Sequence, residues 1–333
     1  MPTLLHIPDA TVVLPSDSVP DHLPLAIFLM GPTASGKTEL AVELVRRLPC
    51  TIISVDSTMV YRGMDIGSAK PGPEVLAIAP HRLIDIHDPA EAYSAAQFRS
   101  DALREMEDIT AAGRVPLLVG GTMLYFRALE RGLAPLPEAD PEVRARLATE
   151  AVHLGWAALH ARLATLDPVL AQRIHPNDPQ RIQRALEIIE LTGRPPTELF
   201  ASEAPQKLPY RLIKLVISPA DRPLLQRRIA ARFVRMLGEG LVGEVEVLYN
   251  RKDLGLHTPA LRAVGYRQVW EHLAGSVDFA TMQERAVVAT RQLARRQLTW
   301  LRPEPATQWL ESTDPGIVGQ ALRVLAQNGF PGY

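Results

Sequence analysis

Residues 31–38 read Gly31-Pro32-Thr33-Ala34-Ser35-Gly36-Lys37-Thr38 and satisfy every fixed position of the G-x-x-x-x-G-K-[ST] phosphate loop. The residue types explain the chemistry. Glycines allow the backbone to turn N–H groups inward around phosphate oxygens. Lys37 supplies a point charge, and Thr38 supplies a hydroxyl for Mg²⁺. A helix opening at this point adds its positive N-terminal end. The loop therefore binds a phosphate-bearing ligand. By itself it leaves open whether that ligand is a nucleotide.

Asp56 is the second candidate. It follows the β-branched run Thr51 to Val55, at the carboxyl edge where open parallel sheets bind ligands. A carboxylate there serves as a general base, a Mg²⁺-linked group or a helix cap. Position alone does not choose among them. The segment from Asp56 to Gly67 is polar, glycine-containing and too irregular for a strand. Its place beside Asp56 favours a substrate-facing loop over a plain surface loop. Another apolar run, Val115 to Val119, ends in Gly120-Gly121-Thr122. Most phosphate-loop ATPases carry an Asp at that strand end to hold Mg²⁺. The missing acid argues against a motor or switch, and paired glycines permit close approach of a ligand to the backbone.

Two arginine groups complete the set. Arg222, Arg227, Arg228, Arg232 and Arg235 fall on one predicted helix after Asp221. Arg228, Arg232 and Arg235 share a face by their i, i+4, i+7 spacing. Guanidinium groups clamp phosphate oxygens bidentately, and a solvated cationic face fits the same pattern. Between Arg285 and Arg302 there are five arginines and no acid. Ala294, Leu298 and Leu301 form a packing stripe there. Arg291, Arg295 and Arg302 face elsewhere, with Trp300 nearby. Arginines beside an aromatic suit a nucleic-acid backbone and an unstacked base. A solvated helix with Trp300 in the core is the alternative.

The elements that must hold these residues follow from pattern. Leu25 to Met30 is an apolar strand and Glu39 to Leu48 a helix, which gives the motif its strand–loop–helix context. Thr51 to Val55 is a buried strand, and Leu83 to Ile86 a weaker one. Ser94 with Gln97 forms a capping box, and Phe98, Ala102, Met106 and Ile109 follow at helical spacing up to Gly113. Val115 to Val119 is a further strand and Arg211 to Ser218 the last clear one. Strands alternating with helices imply a parallel sheet covered on both faces. Between Leu129 and Gln206 only helices are predicted, and Asp140-Pro141 and Asp178-Pro179 each place a capping Asp before a first-turn proline. The fold class expected is α/β: a P-loop NTPase-like parallel sheet with helices on both faces, plus an inserted all-helical domain. The core takes 25–128 and 207–333, and the insertion 129–206. Residues 1–24 read as a polar, proline-containing extension.

Bulk properties exclude several classes. The net charge of −1 over 333 residues rules out a chain that is basic throughout, while leaving room for a cationic face. Cys50 is the only cysteine, which excludes an internal disulfide and a thiolate zinc cluster and fits a reducing cytoplasm. No apolar run approaches the ~18 residues of a membrane span. The N-terminus lacks the charged-then-apolar pattern of a signal peptide. A cytoplasmic monomer with no membrane contact is expected.

With these residues in hand, the chain resembles the bacterial tRNA dimethylallyltransferases, the tRNA isopentenyl transferase family. The resemblance runs from about Ala26 to Leu310. It is carried by Gly31 to Thr38, Asp56 to Pro71, Val119 to Phe126, His175 to Ala185, Val264 to Gln268 and Arg291 to Arg302. Asp56-Ser57-Thr58-Met59 departs from the common family wording Asp-Ser-Met-Gln at its third and fourth positions. The resemblance implies transfer of a prenyl group from dimethylallyl diphosphate to the exocyclic amine of the adenosine 3′ of the anticodon, in tRNAs reading codons that begin with U. The phosphate loop then holds diphosphate, with Mg²⁺ on Thr38 and a contact from Arg232. Asp56 matches the family's proposed base. The tRNA contacts it implies, on the anticodon stem-loop, are Asp56, Ser57, Thr58 and Met59; Thr122 and Arg144; Gln180, Arg181, Ile182, Gln183 and Arg184; Arg262, Ala263, Val264, Gly265, Tyr266 and Arg267; and Arg295, Arg296, Gln297, Leu298, Thr299, Trp300, Leu301 and Arg302. A small-molecule kinase using ATP and a non-catalytic tRNA-binding module are the two other readings.

Overall fold

The computed structural model describes residues 23–134, 136–202 and 206–330. All but the last two residues of the expected extension lie outside them. Six strands form one fully parallel sheet: β1 (Leu25–Met30), β2 (Cys50–Val55), β3 (His81–Arg82), β4 (Val115–Gly120), β5 (Arg211–Ser218) and β6 (Thr307–Glu311), in the order β3-β2-β4-β1-β5-β6. Every residue of β1 and β4 is buried, which explains why both read as unbroken apolar runs rather than alternating ones.

Helices connect the strands: α1 (Lys37–Arg47), α2 (Pro73–Ile78), α3 (Ala95–Ala111) and α4 (Met123–Arg131) before the insertion; α5 (Pro141–Leu154), α6 (Trp156–Leu166), α7 (Pro168–Ala171), α8 (Pro179–Thr192) and α9 (Pro196–Ser202) within it; and α10 (Arg222–Gly238), α11 (Leu241–Tyr249), α12 (Tyr266–Leu273), α13 (Phe279–Leu301) and α14 (Ile317–Gln327) after β5. The Ser94 capping box forms as expected, and Asp140 and Asp178 cap α5 and α8.

The chain separates into two compact units. One holds the described residues up to Leu129 and those from Pro209 onward, and the other runs from Glu130 to Leu208. Ile27, Leu29, Leu44, Ile52, Leu117 and Leu215 centre the core of the first. Leu147, Leu163, Ile182, Leu186 and Ile188 centre the core of the second.

One strand expectation needs correction. Leu83 to Ile86 is not a strand: Leu83 and Asp85 take positive φ (61° and 55°), which breaks extended pairing, and β3 is the two residues just before them. One further strand follows Arg211 to Ser218. β6 pairs with β5 at the sheet edge and buries only Leu310, so its sequence carries little apolar signal.

Candidate functional site

Sheet register assembles the site. Met30 of β1 and Val55 of β2 both pair with Gly120 of β4. Three adjacent strands therefore end at one level, and Gly31, Asp56 and Gly121 are the first residues beyond it. Two strand spacings, about 9–10 Å, separate the start of the phosphate loop from Asp56.

The loop itself is tightly confined. Ala34 and Gly36 take left-handed backbone (φ 63° and 96°), bending the chain into α1. A Cβ on Gly31 would lie 2.3 Å from the Ile217 carbonyl oxygen, so only glycine fits. Lys37 Nζ donates to the Gly31 and Pro32 carbonyls at 3.0 and 2.7 Å. Burial of this ammonium and the nearby charge of Arg232 lower its pKa to about 8, while Asp56 and Glu39 act in the opposite direction. Arg232, half-buried on α10, also has its pKa lowered by burial, with Asp56 opposing. Lys37, Arg232 and Asp56 thus share one electrostatic neighbourhood. Ser35 is fully buried, and its hydroxyl has no hydrogen-bond partner among the described residues.

Asp56 Oδ1 accepts from the Thr58 N–H at 2.8 Å and, more weakly, from that of Met59 at 3.4 Å. Its second oxygen has no such partner among the described residues. Thr122 Oγ1 accepts from the Ser57 N–H at 3.1 Å, tying the segment after β2 to the end of β4. Ser54 Oγ donates to Met59 Sδ at 3.6 Å.

The paired glycines at the end of β4 also serve the protein's own packing. A Cβ on Gly120 would lie 2.0 Å from the Val55 carbonyl oxygen, and one on Gly121 would lie 2.3 Å from Gln297 Nε2. Gln297 Nε2 donates to the Gly121 carbonyl at 2.9 Å, and its Oε1 accepts from the Thr33 N–H at 2.9 Å. Gln297 therefore braces the phosphate loop against the turn that follows β4. Leu298 and Ala294 of the same helix pack with Leu225, Ile229 and Ala34 of the loop.

The expected tRNA residues divide by burial. Arg295 and Arg296 on α13 and Arg302 just after it are exposed, as is Arg291, and none makes an ion pair among the described residues. Thr299 is exposed, while Leu301 is fully buried. Trp300 lies under the Arg127 guanidinium at 4.5 Å. Arg262 and Arg267 are exposed, but Tyr266 is fully buried and donates its hydroxyl to Glu244 at 2.6 Å. Ala263 and Val264 are half-buried, and Gly265 opens α12 with its N–H on Gln268. In the helical unit Ile182 is core, Gln183 donates to the Arg144 carbonyl, and Arg144 and Arg184 both pair with the fully buried Glu187. Gln180 is exposed, and Arg181 pairs with its own helix cap, Asp178. Arg228 bonds Ser312 and Arg235 pairs with Glu239, so of the three arginines expected on one face only Arg232 joins the site. Ile182, Tyr266 and Leu301 are thus structural. Glu244 and Glu187 are the anchors that sequence reasoning missed. The signal for each was an unexplained acid within an apolar helix stripe.

This geometry matches known proteins over most of its length. The family model described as IPP transferase covers residues 59–304, and one described as isopentenyl transferase covers residues 25–86. The chain belongs to the IPP transferase family. A curated relative of that family, the tRNA dimethylallyltransferase of Thioalkalivibrio sulfidiphilus, is 66% identical over 302 residues, covering 90% of this chain and 94% of that one. The crystal structure of a full-length tRNA isopentenylpyrophosphate transferase from Bacillus halodurans superposes with a TM-score of 0.66 at 36% identity, covering 91% of this chain and 97% of that chain. A eukaryotic dimethylallyltransferase acting on tRNA gives a TM-score of 0.77 at 25% identity, covering 92% and 79%. The IPP transferase fold thus extends over both units of the chain.

Proposed function

We infer that this chain is a prenyltransferase that modifies tRNA, moving a dimethylallyl group from dimethylallyl diphosphate to the exocyclic amine of the adenosine 3′ of the anticodon, in tRNAs reading codons that begin with U. The observation that carries this reading is the cation pair of Lys37 and Arg232 at a phosphate loop, with Asp56 in the same field. The Arg232 charge lowers the affinity of Lys37 for a proton, so a positive field acts there, with Asp56 opposing it, that a further anion would neutralise. A departing diphosphate is such an anion, and its charge grows as the reaction proceeds.

The reaction breaks the bond from the allylic carbon to the diphosphate oxygen, and the electron pair leaves with the diphosphate. The adenine nitrogen forms the new bond to that carbon, and the amine proton passes to Asp56. The backbone N–H groups of residues 34–38, Lys37 and Arg232 stabilise the developing negative charge. The partnerless Ser35 hydroxyl fits a phosphate oxygen, since a buried hydroxyl left unpaired is costly. Asp56 is already oriented by the Thr58 N–H, which leaves one carboxylate oxygen for the proton. The target base must leave its stack to reach this edge. The exposed arginines Arg291, Arg295 and Arg296 of α13, with Arg302 just beyond it, suit RNA phosphates.

Among the described residues no group of three His, Cys, Asp or Glu side chains is arranged to hold a metal. The Thr38 hydroxyl, on a half-buried residue in the first turn of α1, is the protein group that would hold Mg²⁺ beside a bound diphosphate. There it would neutralise diphosphate charge.

One incubation tests the reading. The protein, Mg²⁺, undermodified tRNA and dimethylallyl diphosphate should yield tRNA heavier by one prenyl group. No mass gain, or ATP hydrolysis stimulated by a small acceptor, overturns it in favour of a kinase.

A further inference from the structure

The loop after Asp56 is held by a carboxylate from a distant helix. Glu244, on α11, directs Oε2 at the N–H groups of Asp65 and Ile66 (2.9 and 2.7 Å) and Oε1 at the N–H of Gly67 (3.0 Å). Three successive backbone N–H groups form a concavity that binds anions. Here the anion is a side chain of the same molecule. Glu244 Oε1 also accepts from the Tyr266 hydroxyl at 2.6 Å. The Tyr266 ring closes the arrangement, because a Cβ on Gly67 would lie 2.5 Å from it.

The other side of the loop is fastened too. Lys70, whose side chain is only 4% exposed, donates to the Tyr61 carbonyl at 2.9 Å and pairs with Asp65 and Asp85 at 2.5 Å each. The stretch from Asp56 to Lys70 is therefore a braced span. Residues 65–67 belong to no strand or helix that would fix them otherwise. One carboxylate thus ties Tyr266, within the 262–267 segment to which the resemblance gives RNA contacts, to residues 65–67 of the same loop that begins with the Asp56–Met59 contacts.

We propose that Glu244 is a positioning residue that sets the loop after Asp56 for the RNA acceptor, acting through the Asp65–Gly67 backbone and Tyr266. This rests on the prenyl-transfer reading above. It goes further by assigning the acceptor side, and not the donor side, to a residue that touches neither substrate.

The test uses the full chain and three variants: Glu244→Ala, Glu244→Gln and Tyr266→Phe. Transfer is measured with tRNA varied at saturating donor, then with donor varied at saturating tRNA. Hydrogen exchange is followed at Asp65, Ile66 and Gly67. Glu244→Ala should lower kcat/KM for tRNA by about 10- to 150-fold, the range of a lost hydrogen bond to a charged group. The donor KM should stay near wild type, and the three amides should lose protection. Glu244→Gln retains one acceptor oxygen and should fall between. Tyr266→Phe, which removes a single hydroxyl, should show the smallest loss in the same direction. If Glu244→Ala fails to fold, the two milder variants carry the test.

Unchanged exchange at 65–67 overturns the inference. So does an equal loss for donor and tRNA, or a lowered melting temperature with kcat/KM for tRNA unchanged. If the unsubstituted protein transfers nothing, the prenyl-transfer reading fails instead, and the exchange data still report whether Glu244 holds the loop.

Discussion

In the phosphate-loop unit, Arg232 lies half-buried near Lys37 and makes no hydrogen bond or ion pair among the described residues, while its charge depresses the Lys37 pKa. In the helical unit, Arg144 holds Glu187 through two hydrogen bonds, Arg184 adds a third, and the Asp140 N–H completes the carboxylate. The same side-chain type is left bare in one unit and neutralised in the other. A cation without an internal partner is available to an external anion. A cation already spent on a buried acid holds its own fold together, and truncating the acid should cost far more than truncating a surface pair.

The largest effect should come from Asp56, which separates chemistry from architecture. Asp56→Asn keeps an oxygen for the Thr58 N–H but removes the proton acceptor. Single-turnover transfer at saturating substrates should fall about 10²–10⁴-fold, with donor binding retained. A loss below about tenfold would reassign Asp56 to capping. The reverse pattern is expected at Glu187. Glu187→Ala leaves two arginines facing a buried void and should destabilise the protein by about 3–5 kcal/mol, seen in thermal unfolding. An unchanged melting temperature would break the comparison on the helical side.

Arg232→Ala should weaken donor use by about 10- to 150-fold while leaving tRNA affinity near wild type. It should also move a titration. Lys37, with its pKa lowered to about 8, is charged below that pH and neutral above it. Donor affinity should therefore hold below about pH 8 and decline as pH rises through it. The sign for stability is opposite: a cation with a depressed pKa costs the fold most below pH 8, and the cost is relieved as pH rises. Removing Arg232 takes away one of the two causes of the depression, so the inflection in donor affinity should shift upward. An inflection that stays in place would mean that the two cations do not share a field.

The smallest effect concerns salt. Arg295→Ala and Arg302→Ala should each reduce the slope of log affinity for tRNA against log salt by roughly 0.7–0.9. Arg184→Ala should leave that slope unaltered, because Glu187 already neutralises this guanidinium. Equal slopes for all three would erase the distinction between bare and spent arginines.

Much of this was legible in the sequence. The phosphate loop, four strands (β1, β2, β4 and β5) and the capping of α3, α5 and α8 rest on local signals of residue type and spacing. What escaped was non-local. Nothing adjacent to Gln297 says that its amide reaches both Thr33 and Gly121, over 264 and 176 residues of sequence. Tyr266 and Ile182 stand in motifs that look functional, yet each is fully buried. A motif records which residues matter, and burial decides whether they matter to a ligand or to the fold. β6 was missed for a related reason, since an edge strand that buries one residue needs little apolar sequence.

Gln297 also constrains what the gene can tolerate. Its amide is used in both directions at once, receiving from the loop and giving to the turn after β4. Glutamate would present an acceptor to a carbonyl, lysine would present a donor to an N–H, and asparagine is one methylene too short to span the same gap. Among side chains of that length, only glutamine offers both polarities. Codon 297 therefore stands as an island in mutational space, with no conservative neighbour through which the lineage can drift while the phosphate loop keeps its shape.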